Sequence, residues 1–289
     1  MRYFDAHCHV QFDAYDADRA QVFEAMRSTE VGGILVGTDS TTSRLAVEYA
    51  DGKTVFASVG LHPNDKPQEG YDDAYYAALA KDPKVVAIGE CGLDYYRAQQ
   101  ARTESPDSGM AKQAMGASSA YFRPENPEAE KARQKDVFAR HIELAASLDK
   151  PLMIHARPSK GSMDAYLDAY DMLKEAKVKH GDRLRGNMHF YVGDIETTKL
   201  FLSLGFTFSY TAVLTFTHDY DEVVRFIPLE HLLSETDAPY VAPAPNRGKR
   251  NDPLAVRSVV SAIASIRGED EETVREALLG NAKRVFRLS

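Results

Sequence analysis

The chain has 289 residues, of which 44% are hydrophobic and 27% charged, a globular balance that excludes collagen-like, mucin-like and wholly disordered chains. Its 35 Lys and Arg against 43 Asp and Glu leave a net charge of −8, so no overall basic field holds nucleic acid and any phosphate must be bound at a local site. With no apolar run of about 18 residues, no apolar leader after Met1-Arg2-Tyr3-Phe4-Asp5 and only Cys8 and Cys91 outside any CxxC motif, the expectation is one cytoplasmic domain over residues 1–289, with no membrane contact and no stable protein partner.

Short β-branched runs alternate with longer amphipathic stretches along the chain. A strand at Arg2–Asp5 leads to a helix at Arg19–Met26, and strands at Gly33–Gly37 and Val55–Gly60 precede a helix at Tyr75–Ala80. The fourth strand, Val85–Gly89, is followed after a long gap by a helix at Glu130–Leu148. Strands at Leu152–His155, Leu184–His189, Phe206–Tyr210 and Leu232–Thr236 then alternate with helices at Met163–Ala176, Thr197–Leu204 and Tyr220–Phe226. Two terminal helices follow, Pro253–Arg267, opened by its proline, and Glu271–Phe286. Eight strand–helix units predict parallel strands closed into a (β/α)8 TIM barrel, and no G-x-G-x-x-G follows the first strand to suggest a dinucleotide-binding sheet. The gap, Ala98–Pro127, is rich in Gly, Ser, Ala and Pro; it reads as a long insertion after strand four, either a lid over the barrel mouth or a surface loop.

Chemistry-bearing residues gather where the strands end. His7 and His9 flank Cys8, and strand alternation turns both imidazoles to one side and Cys8 to the other. Glu90 ends strand four, His155 strand five, His189 strand six and Asp237 strand eight. In a barrel these ends converge on one mouth, and four imidazoles with two carboxylates suit a pair of divalent cations better than a single tetrahedral ion. Two such ions outweigh the two carboxylates and a bridging hydroxide, which gives an acidic protein a locally positive centre for phosphate.

The motifs FDAHCH, GLHP at Gly60–Pro63, AIGECGLDYY at Ala87–Tyr96, MIHAR at Met153–Arg157, SETDAPY at Ser234–Tyr240, GKRN at Gly248–Asn251 and the closing GNAKRVF resemble the TatD family of metal-dependent deoxyribonucleases nearly end to end. The resemblance implies a binuclear centre of Mg, Mn or Zn in which His7, His9, Glu90 and Asp237 hold one ion, and Glu90, His155 and His189 the other, with Glu90 bridging. It also implies hydrolysis of DNA or another phosphodiester, starting from a free end, by a metal-bound hydroxide with Asp237 as ligand and proton acceptor. A barrel hydrolase for a small ester, lactone or amide is the alternative enzyme reading, and a non-catalytic metal-binding scaffold the alternative outside enzymes. The chain departs from the family at His189-Phe190-Tyr191-Val192-Gly193, where HCFSG is usual, and in the length of Ala98–Pro127.

Other polar residues carry two readings each. His62 contacts the scissile phosphate or caps its loop; Arg157 pairs with phosphate, or with Asp94 or Glu235. Glu235, two residues before Asp237, supports the ligands or touches substrate. Lys249 and Arg250 bind backbone phosphate or are merely solvated. His141, His180, His218 and His231 are expected to be structural, and both cysteines to pack as small apolar residues facing away from the metals.

Overall fold

The computed structural model describes residues 1–64, 70–99 and 126–288. Eight strands, β1 (Tyr3–Cys8), β2 (Val31–Val36), β3 (Val55–Val59), β4 (Val85–Asp94), β5 (Leu152–Arg157), β6 (Gly186–His189), β7 (Thr207–Tyr210) and β8 (Leu232–Ser234), stand side by side in chain order. Every neighbouring pair is parallel. The ring closes where β1 meets the segment after β8: Ser234 Oγ donates to Phe4 O, Asp237 N to His7 O and His9 N to Ala238 O. This is the expected TIM barrel. Most of Ala98–Pro127 falls outside the described residues.

Helices α1 (Arg19–Ser28), α2 (Ser40–Tyr49), α3 (Asp73–Leu79), α4 (Tyr95–Gln99), α5 (Pro127–Leu148), α6 (Asp164–His180), α7 (Ile195–Ser203), α8 (Asp221–Phe226), α9 (Val256–Arg267) and α10 (Glu271–Phe286) surround the strands. Sequence periodicity does not predict α2, whose first turn is Ser-Thr-Thr-Ser; the Asp39 carboxylate caps it by accepting from Thr42 N, and Thr42 Oγ1 accepts from Asp39 N in return. Pro253 opens a 3-10 turn, Pro253–Ala255, that leads into α9 rather than starting it. The larger part of the core lies between strands and helices. A second cluster, with Phe4, Ile34, Phe56, Met153 and Leu233, fills the barrel and is floored by Val285 and Phe286 of α10. That apolar floor leaves the polar strand residues to the opposite mouth.

Strands β1, β4 and β5 run past their expected ends, and β1 and β4 each carry an irregularity that re-aims side chains. Between Asp5 and Cys8, β1 takes three steps where β2 takes two, Gly33 to Leu35. Between Ile88 and Cys91, β4 does the same against Leu152 to Ile154 of β5. An extra residue switches the alternation, so Phe4 and Ala6 join the barrel interior while Cys8 joins the outer core beside an inward His7. Likewise Ala87 lies inside, and Cys91 turns outward beside Glu90. Gly89 and Gly92, at φ of 144° and 133°, permit this path: a Cβ on Gly89 would meet Met153 O at 2.3 Å, and one on Gly92 would meet His155 O at 2.0 Å.

Helix α5 braces the mouth from outside. His141, fully buried, lies 2.8 Å through Nδ1 from Val137 O and accepts from Leu61 N through Nε2 at 3.0 Å, which only the neutral ring with its proton on Nδ1 satisfies. Burial pushes its pKa down to about 4. Between 6.5, the ordinary histidine value, and about 4 the unfolded chain therefore binds a proton that the native state refuses, so stability falls as pH falls through this window. His141 contributes about 3 kcal/mol to that loss. In denaturant titrations at pH 7 and pH 4, His141→Gln should narrow the stability difference by about this amount; an undiminished difference would show that His141 is not the group responsible.

Candidate metal centre

Glu90 is the centre of the mouth, 4% exposed, with its two oxygens facing two different sets of imidazoles. Oε2 lies 3.4 Å from His7 Nε2 and 4.0 Å from His9 Nε2. Oε1 lies 3.2 Å from His155 Nδ1, 3.5 Å from His62 Nε2 and 3.6 Å from His189 Nε2. Asp237 Oδ1 approaches His9 Nε2 at 3.4 Å and His7 Nε2 at 3.9 Å. Thus all six expected metal ligands meet in one cluster, and His62 joins them from the loop after β3.

The donor set fits divalent cations. Three groups, His7–His9–Asp237, His7–Glu90–His189 and His62–Glu90–His155, each bring three ligand atoms within 4.8 Å of one another. The Nε2 atoms of His7 and His9 face each other at 3.1 Å, and the buried His7 Nδ1 has no hydrogen-bond partner among the described residues. Two neutral imidazole lone pairs directed at one point repel unless a proton or a cation lies between them. His7, Glu90 and Asp237 favour their ligand forms. Against burial in each case, Asp237 raises His9, Asp94 with Glu90 raises His155 and Glu235 raises His189, so a cation there displaces protons. Burial, reinforced by His189, holds His7 down at about 4, and so neutral. Burial opposes charge on Glu90 and Asp237, but the imidazoles win: His62, His7 and His155 hold Glu90 well below the usual carboxylate range, and His9 with His189 and His7 lowers Asp237. Neutral imidazole and ionised carboxylate are the ligand forms. Mixed nitrogen and oxygen donors suit Zn or Mn, and the carboxylates suit Mg.

Behind the ligands stand groups that fix them. Asp94 Oδ2 lies 3.2 Å from His155 Nε2, so the ring presents Nδ1 to Glu90. Burial raises Asp94, but the hydrogen bond to His155 outweighs it and brings the carboxyl to about 2. Gln134 of α5 accepts from Asp94 N at 2.8 Å and donates to Asn64 Oδ1, tying β4 to the loop of His62. Glu235 is fully buried, with Oε1 2.9 Å from His189 Nδ1 and accepting from Phe190 N, and Oε2 accepting from Ser209 Oγ. Against its burial, Glu235 lifts His189 to about 10. His9 Nδ1 lies 2.7 Å from Val36 O. Asp5 accepts from Thr236 N and Oγ1 at 2.8 and 2.5 Å, locking the segment of Asp237 onto β1.

The remaining candidates are dispersed. Arg157, exposed at the end of β5, makes no ion pair with Asp94 or Glu235; its guanidinium lies over the Tyr96 ring, 4.1 Å from the centroid. Arg250 is committed to both oxygens of Asp18 at 2.7 and 2.5 Å and lies over Tyr15, while Lys249 is exposed on the same loop. His62 also accepts from Asn64 N through Nδ1, so it caps its loop while facing Glu90. His180 pairs with Glu143, His218 with Asp221, and His231 Nδ1 with Phe206 O. Both cysteines are buried in the outer core. Sequence reasoning named Asp94 only as a partner for Arg157. The signal was its spacing of four from Glu90, which places both on one face of a strand that continues through ECGLD.

A family model described as TatD related DNase matches residues 4–287. The metal-dependent hydrolase YabD of Bacillus subtilis is 33% identical over 99% of both chains. The 3'-5' ssDNA/RNA exonuclease TatD of Rahnella is 28% identical over 99% of this chain and 98% of its own. The crystal structure of YJJV, a TatD homologue from Escherichia coli, superposes with a TM-score of 0.79 at 23% identity over 100% of this chain and 99% of that one.

Asp94 gives this geometry a direct check. Asp94→Asn removes the charge behind His155 at nearly constant volume and should weaken cation binding by about 10- to 100-fold, read by competition with a fluorescent chelator. Unaltered affinity would mean that Asp94 only braces β4 against β5.

Proposed function

Because the chain belongs to the TatD-related DNase family and is a metal-dependent hydrolase, we propose that it cleaves phosphodiester bonds of single-stranded DNA from a free end, at a centre of two divalent ions drawn from Mg, Mn and Zn. The observation that carries this reading is the division of the two Glu90 oxygens between separate donor sets, His7 and His9 with Asp237 on one side, His155 and His189 on the other. When bound, such a pair supplies an activated water and charge at the leaving oxygen.

The chain's own residues do the rest. Glu90 holds the two donor sets in register. Asp237, with Oδ1 turned to His9 and its side chain 15% exposed at the mouth, takes the proton of the attacking water on Oδ2. His62 Nε2, on the Oε1 side of Glu90, faces the scissile phosphate; the exposed Lys249 takes the flanking backbone, and the exposed Arg157 faces the adjoining nucleotide. Glu235, with both oxygens occupied, orients His189 rather than touching substrate. Arg250 anchors its loop to Asp18.

Elemental analysis should find close to two divalent ions per chain, and end-labelled single-stranded DNA should be degraded in Mg²⁺ or Mn²⁺ and spared in chelator. Glu90→Gln replaces one of the two oxygens that would face the cations with an amide nitrogen that has no lone pair for a cation. Its turnover should fall by more than about 100-fold, beyond the loss from a supporting residue and beyond that of Arg157→Ala. Near wild-type cleavage by Glu90→Gln, or hydrolysis confined to carboxylic esters, lactones or amides, would overturn the proposal.

A further inference from the structure

The ends of β4, β5 and β6 open beside the metal centre into a cavity of about 590 Å³, lined by Tyr96, by the loop after β5 from Arg157 to Met163, and by Val192 and Asp194 after β6. Arg157 lies two residues beyond His155 and Val192 three beyond His189, so the cavity opens on the side of the mouth that carries these two imidazoles. In a chain of net charge −8 it is locally basic. Arg157 and Lys160 are exposed, and among the described residues neither has a carboxylate at ion-pair distance. Among the described lining residues the one acid, Asp194, is engaged as the cap of α7, with Oδ1 accepting from Thr197 N and Oγ1. The loop that carries Lys160 is fixed rather than loose: Asp164 accepts from Ser159 N at 2.8 Å and from Ser159 Oγ at 2.7 Å.

The guanidinium carbon of Arg157 lies over the Tyr96 ring, 4.1 Å from its centroid, and Arg157 itself is exposed, so the pair offers a planar cation on an aromatic support. Single-stranded nucleic acids are held by such pairings of aromatic or guanidinium planes for bases with cations for the backbone. A cavity of this volume admits one nucleotide. Building on the DNA reading above, we propose that it is a subsite for the unpaired nucleotide next to the scissile phosphate, with the base on the Arg157–Tyr96 stack and the outer phosphate on Lys160.

The test uses the full chain and a fluorescein-labelled single-stranded oligonucleotide, followed by anisotropy in chelator so that no cleavage intervenes. A single abasic residue moved stepwise along the strand should weaken wild-type binding about tenfold at one position and little elsewhere. Tyr96→Leu should weaken binding of the intact strand by a similar factor and add nothing on the strand abasic at that position, whereas Tyr96→Phe, which keeps the ring, should match wild type. Lys160→Ala should lower the slope of log affinity against log salt by about 0.7, the loss of one phosphate contact. A flat abasic scan with a wild type that still degrades DNA would overturn the subsite and leave the nuclease reading standing. If wild type neither binds nor degrades the strand, both fall together.

Discussion

The organisation of the barrel mouth rests on one buried carboxylate. An ionised Glu90 withdrawn from water is strongly unfavourable unless it is surrounded by compensating charge or donors. Here the compensation comes from imidazoles on β1, β5 and β6 and from His62 on the loop after β3, grouped around one oxygen or the other. Each of these elements supplies part of that compensation, so the constraint reaches through most of the strand order. It also explains the glycines that flank Glu90. Only residues without a Cβ let β4 lie so close to Met153 and His155 of β5 while its carboxylate turns inward.

Closure of the barrel and assembly of the site are the same event. No long ladder joins β1 to β8; the seam is a bridge between Cys8 and Ala238 and a few hydrogen bonds, with Asp5 at their centre. Burial pushes the Asp5 carboxyl up to about 8 even with Thr236 and the His7 amide donating to it. A group so isolated from water stays because the two donors from Thr236 need it. Through that contact the segment bearing Asp237 is set against the strand bearing His7 and His9. Loosening the seam would therefore separate one donor set while leaving the other, on β5 and β6, in place.

Much of this was legible in the sequence because parallel barrels place strand ends at one mouth, and six acids and histidines at such positions are informative together. Alternation correctly set His7 and His9 opposite Cys8. It could not reveal the two irregularities in β1 and β4, because an inserted residue changes parity without leaving a compositional mark. The expected fourth strand stops at Gly89, yet pairing carries it to Asp94 opposite Arg157, and that extension is what brings Asp94 behind His155. In the other direction, Leu232–Thr236 stops at Ser234; Asp237 sits at a φ of 54° beyond the strand, so Glu235 and Asp237 serve different imidazoles. Arg250 was unreadable for a simpler reason: its partner, Asp18, lies far away in sequence.

The supports decide how much of the centre exists before a cation arrives. Each of three imidazoles has its second nitrogen held from behind: His155 by Asp94, His189 by Glu235, and His9 by Val36 O. Their free nitrogens are thereby aimed inward irrespective of what occupies the space between them. His7 Nδ1 has no such support among the described residues, yet its ring is stacked on His189 with centroids 3.5 Å apart and is confined by packing instead. The fold thus gathers ligand nitrogens closely, His7 and His9 Nε2 at 3.1 Å, where a shared proton joins them until a cation takes its place. A cation that prefers this folded arrangement to the unfolded chain stabilises the barrel, so metal affinity and barrel stability are linked through the same contacts. A positive, phosphate-attracting point in this acidic chain would arise in this way, from cations held among imidazoles and two carboxylates rather than from any excess of basic residues.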